Sequence, residues 1–117
     1  MKTLTYTFFD TDYAICLEKT AYTQNQNPAI RMWMVEDGQI TEPFGSLSVN
    51  LGPIPEGYQE AGKIAVFLDT NHLPDLPAFL EAKGLGKATG YVRQSGFCQY
   101  PLYLLDEAAL APYLIEF

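Results

Sequence analysis

Five consecutive residues, Ile64-Ala65-Val66-Phe67-Leu68, are apolar at every position. Side chains alternate between the two faces of a strand, so a strand without a polar parity must be covered on both sides. That requirement constrains the fold more than any other feature: one layer must lie above this strand and another below it. Asp69-Thr70-Asn71 ends the run with three residues whose side chains bond nearby backbone groups and open a turn. Pro74 and Pro77 suit the first turn of a helix, where a fixed φ and a missing N–H do no harm. Leu76, Phe79 and Leu80 then share one helical face. The spacing predicts a helix over Pro74–Lys83. With Gly84 as the left-handed residue after it, Leu80 and Leu85 become the apolar pair of a Schellman ending, and Lys83 faces the negative end of the helix dipole.

The remainder reads mostly as strands and hairpins. Thr3 to Phe9 alternates threonine with Leu4, Tyr6 and Phe8, and Asp10-Thr11-Asp12 signals a turn into a second strand over Tyr13–Tyr22. A polar loop, Gln24 to Pro28, leads to a third strand over Ala29–Glu36. Asp37-Gly38 is the strongest hairpin signal, because both positions tolerate positive φ. A returning strand over Ile40–Phe44 follows. Gly45 to Leu51 then alternates so cleanly that Leu47, Val49 and Leu51 read as inward and Ser46, Ser48 and Asn50 as outward. Gly52 to Gly62 is a Pro/Gly/Glu loop longer than the usual connection, a candidate mobile flap. After the central helix, Gly86 to Gly90 reads as a connector into Tyr91–Arg93, and Ser95-Gly96 as a turn toward a strand over Phe97–Leu104. Asp106 is placed to cap a closing helix, with Leu105 and Leu110 as its hydrophobic staple and Pro112 ending it. The predicted fold class is α+β: one domain over residues 1–117, a largely antiparallel sheet of about five to seven strands with two short helices packed on it.

Four runs carry a resemblance. Leu47–Leu51 with Phe67–Asn71, Phe79–Gly90 and Ser95–Tyr103 together resemble a family of small bacterial proteins of unknown function. What the resemblance implies is a small cytosolic domain carried on plasmids and conjugative elements of gut bacteria. It implies no activity, so no catalytic residue is carried over.

Composition narrows the function classes. An apolar content of 48% and an aromatic content of 14% in 117 residues support a buried core and exclude global disorder. Fourteen acidic against seven basic residues give a net charge of −7, which repels nucleic-acid phosphates. No apolar run approaches the ~20 residues of a membrane span, and no secretion signal is recognisable, so a cytoplasmic location is expected. Cys16 and Cys98 are expected as free thiols.

The sequence offers little dedicated chemistry. His72, the one histidine, lacks a partner at metal-ligand spacing, although Asp69 and Asp75 lie near it; no metal and no cofactor is predicted. Cys98 with His72 and Asp69 is the only nucleophile, base and orienter set, and would serve a hydrolase or transferase; a small core cysteine is the commoner outcome. Gly84, Gly86 and Gly90 follow a helix where a phosphate loop would precede one. The densest cluster of interface-type residues comprises Thr70, Asn71, Arg93, Phe97, Gln99, Tyr100 and Tyr103. The leading expectation is therefore a non-enzymatic protein-binding domain with a protein partner, an accessory of a mobile element. An acidic DNA mimic is the further alternative, and it needs a dense stripe of carboxylates.

Overall fold

The computed structural model describes residues 2–115. In place of a single sheet it contains two, each of four strands. The first is a meander of neighbours: β1 (Leu4–Phe8), β2 (Thr11–Ala21), β3 (Pro28–Glu36) and β4 (Gln39–Ser46), every pair antiparallel. The second runs in the order β5-β6-β8-β7, with β5 (Ser48–Val49), β6 (Lys63–Leu68), β7 (Gly86–Ser95) and β8 (Cys98–Asp106). Helix α1 (Leu76–Ala82) connects β6 to β7, and α2 (Glu107–Leu110) runs into a short 3-10 turn over Ala111–Tyr113.

Leu47 explains the division. Its N–H donates to the Ile30 carbonyl of the first sheet (3.0 Å), and its carbonyl accepts the Asp69 N–H at the end of β6 (3.0 Å). One residue therefore serves both ladders, and the strand predicted over Gly45–Leu51 shrinks to Ser48–Val49. Ser48 corrects the alternation directly: predicted outward, it is buried, with its Oγ accepting the Ile30 N–H and bonding the Tyr22 hydroxyl, both at 2.9 Å. A buried hydroxyl with its bonds made costs little, so its polarity misled the pattern.

Two cores follow. The main one fills the space between the sheets with Tyr6, Ile15, Leu17, Ile30 and Met32 from one side and Ile64, Val66, Leu68, Tyr103 and Leu105 from the other, closed by Leu76 and Leu80 of α1. The second lies on the far face of β6 and β8, where Ala65, Phe67, Leu102 and Leu104 are covered by Leu51, Ile54, Tyr58, Tyr91 and Tyr100. The two-sided apolar strand thus has the two covers it demands.

Helix α1 ends as its sequence predicts. Gly84 has φ +68, the Leu85 N–H reaches the Leu80 carbonyl (2.9 Å), and the Gly84 N–H reaches that of Glu81 (3.2 Å), the paired bonds of a Schellman motif. Asp106 caps α2 by accepting the Ala109 N–H at 3.1 Å. The Gly86–Gly90 connector is instead the first half of β7. Gly86 lies so close to β8 that an added Cβ would sit 2.9 Å from Leu105 Cδ2.

Candidate functional site

The polar cluster gathers where β6 ends. Antiparallel pairing of β6 with β8 puts the residues after Leu68 beside the start of β8, and the loop over residues 69–75 lies there. Its backbone is tied at both ends, with the Thr70 N–H on Leu68 (2.9 Å) and the Leu73 N–H on the Asp69 carbonyl (3.0 Å). His72 Nδ1 lies 3.0 and 2.9 Å from the two Asp69 carboxylate oxygens. A carboxylate only accepts, so this contact sets the proton on Nδ1 and leaves Nε2 toward solvent. The histidine side chain is 76% exposed and the aspartate 14%.

Strand β8 supplies the facing residues. The Cys98 thiol donates to Asn71 Oδ1 at 3.3 Å. Tyr100, two residues on and therefore on the same face, has its phenol pKa pushed up by burial first, then by its bond to Cys98 and the nearby charges of Cys98 and Asp69. Asp69, Asn71, His72, Cys98 and Tyr100 thus form one group, with Thr70 half-buried within it. The predicted orienter and base, Asp69 and His72, do meet. The thiol bonds Asn71 and not the imidazole, so the nucleophile–base link is not formed. Among the described residues no group of three His, Cys, Asp or Glu side chains is placed to hold a metal ion. Both cysteines are free, and burial raises the pKa of Cys16, which lies in the other sheet.

Three residues of the predicted binding surface lie elsewhere. Tyr103 is a core residue, 4% exposed, whose hydroxyl donates to Glu81 at 3.1 Å. Gln99 is exposed on the opposite parity from Cys98 and Tyr100. Arg93 is a clamp: its guanidinium donates to the carbonyls of Leu51 (2.9 Å) and Pro53 (2.7 Å) and to the Tyr91 hydroxyl (3.1 Å), 4.8 Å over the Phe67 ring. It fastens the loop predicted as a mobile flap onto the second core.

Phe97 stands fully exposed at the tip of the β7–β8 hairpin, after Gly96 with φ +61. A second exposed aromatic escapes the sequence reading. Phe9 is 87% exposed at the β1–β2 turn, where Phe9 and Asp10 hold φ +48 and +62. The turn therefore occupies Phe9-Asp10 and not Asp10–Asp12. A signal for it existed: Phe8 and Phe9 are consecutive, so one of them had to leave the inward parity of Leu4, Tyr6 and Phe8. Phe9 packs edge-on to Phe8, 4.5 Å between centroids. Phe8 in turn lines a cleft of about 370 Å³ with Phe44, Leu73, Asp69 and His72. The tip of β1–β2 and the 69–75 loop therefore adjoin.

Residues 16–116 match a domain of unknown function, DUF4313. The chain belongs to the DUF4313 family. No curated protein and no solved structure matches it. The DUF4313 match begins within β2 and takes in β3 to β8, including every residue of the polar cluster. No helix among the described residues of this DUF4313 chain is long and apolar enough to cross a membrane.

Proposed function

We propose that this chain is a protein-binding module that works through the end built by Phe9, which precedes the matched DUF4313 segment, together with Phe97 and the Asp69–His72 loop. The observation that carries the reading is Phe9, a bulky residue held at φ +48 with 87% of its surface in water. Left-handed backbone costs roughly 1–2 kcal/mol for a residue with a Cβ, and exposure recovers none of it. A partner pocket that receives the ring would supply the return. Asp10 and Asp12 follow Phe9 in the chain, Asp69 lines the adjoining cleft beside Phe8, and the segments 3–18 and 64–82 contain no lysine or arginine. The partner chemistry is therefore an apolar pocket with a cationic rim. A role as an accessory of a mobile element rests on the family resemblance alone. The carboxylates favour a protein partner over DNA mimicry, because they are scattered along the chain where a mimic needs a dense, long stripe.

The test is capture from host lysate, with and without nuclease, by tagged wild-type protein and by the Phe9→Ser/Phe97→Ser double variant. A stoichiometric protein that survives nuclease and is lost with the double variant is expected. Equal retention by a folded double variant refutes the assignment. A cysteine-dependent hydrolase or transferase is the second reading, favoured by the oriented Asp69–His72 pair. It requires Cys98 to alkylate faster than an unfolded-peptide thiol, and a rate no faster removes it.

A further inference from the structure

A second cleft, of about 320 Å³, lies along the flank of the molecule between β1 and α1, lined by Thr5, Tyr6, Thr7, Asp75, Phe79 and Lys83. That volume is at the small end of ligand clefts. One wall is an unpaired sheet edge, because among the described residues β1 pairs with β2 alone. The two-residue turn makes Phe8 and Thr11 a hydrogen-bonded pair, and alternation makes Tyr6–Tyr13 and Leu4–Ile15 the next ones. Thr5 and Thr7 consequently direct their backbone N–H and C=O groups away from β2, toward the cleft.

The opposite wall is polarised. Asp75 and Lys83 bracket α1, and neither takes part in an ion pair among the described residues. Eight helical steps of ~1.5 Å separate them by about 12 Å, the span of three to four extended residues. Phe8 shares its own cleft with Leu73, so the Asp75 end of α1 lies by Thr7 and the Lys83 end by Thr5. Between them is Tyr6, 1% exposed, its ring 4.6 Å from that of Phe79. Its hydroxyl is the one buried side-chain polar atom without a partner among the described residues. Burial first, and then the charge of Asp75, raise the phenol pKa to about 12, so the hydroxyl sits within reach of that carboxylate's field.

We infer that this cleft binds a short extended peptide with free termini, running antiparallel to β1, its ammonium at Asp75 and its carboxylate at Lys83. Backbone pairing to Thr5 and Thr7 supplies sequence-independent affinity, as in other strand additions to a sheet edge. This site is separate from the Phe9/Phe97 end and does not depend on the reading given to that end.

Trialanine, titrated into ¹⁵N-labelled full-length protein, is the probe, with N-acetyl-trialanine amide as the uncharged control. Saturable millimolar shifts at the Thr5, Tyr6 and Thr7 amides are expected with the zwitterion. Asp75→Asn and Lys83→Gln should each weaken binding about three- to five-fold, in keeping with exposed ion pairs. Both side chains are on the surface, so the variants remain folded. No shifts with trialanine, equal shifts with the capped peptide, or indifference to both substitutions would each overturn the assignment.

Discussion

Two loops flank the second sheet and behave in opposite ways. The segment from Asn50 to Gly62 is long and rich in proline and glycine, yet Leu51, Ile54 and Tyr58 are packed into a core and Arg93 holds two of its carbonyls. Asn27 adds a third tie, donating to the Gly52 carbonyl at 2.6 Å. The segment from Asp69 to Asp75 is short and tied at its base, yet it presents Asn71, His72 and Asp75 to solvent. Length and composition suggest the first as the moving part and the second as a mere connection. Side-chain bonds to backbone and buried apolar area decide otherwise.

Breaking the Arg93 clamp should give the largest effect. Arg93→Ala removes three donated bonds and the stack over Phe67, and should cost about 2–3 kcal/mol in urea unfolding. Amide exchange should accelerate over residues 50–62 and stay unchanged over 69–75; the reverse pattern would abolish the contrast. Next in size is Phe9→Gly, which relieves the left-handed strain and should stabilise the chain by roughly 1 kcal/mol while weakening partner capture. Phe97→Ser should leave stability within about 0.5 kcal/mol, because a fully exposed ring contributes no burial. A large loss there would mean the tip is structural.

The smallest expected effect is pH-dependent. The Ala109 N–H first, and then the bond to Lys63, lower the Asp106 pKa. With a folded pKa below the unfolded one, its contribution is present above the unfolded carboxylate range and is lost as pH falls through the folded value. Asp106→Ala should therefore lower the melting temperature at neutral pH and flatten the acid limb of the melting curve. An unchanged acid limb would show that the cap is silent.

Much of this architecture was legible because local chemistry dictated it. The Schellman ending at Gly84, the Asp106 cap, the Asp37-Gly38 turn (φ +52 and +76) and the doubly covered strand through Phe67 each follow from a few adjacent residues. The division into two sheets was not legible, because it depends on Leu47 bonding to residues 17 positions before it and 22 after it (47 − 30 and 69 − 47). The polar cluster was half legible. Asp69, Asn71, His72 and Cys98 lay within recognised segments, but Arg93 and Tyr103 carry the same residue signature as an interface while serving the interior. Composition cannot tell a tyrosine that meets a partner from one that meets Glu81.

Leu47 also sets an order of events during synthesis. Every ladder of the first sheet joins sequence neighbours, so it can zip as soon as residues 4–46 are available. Its inner face, including Tyr6, Ile15, Leu17 and Met32, has no cover until β6 and β8 arrive. At a translation speed of about 5–20 residues per second, the interval from Leu47 to Asp106 lasts some seconds. During that time the nascent chain is half a sandwich, its apolar side open to chaperones and to other nascent copies.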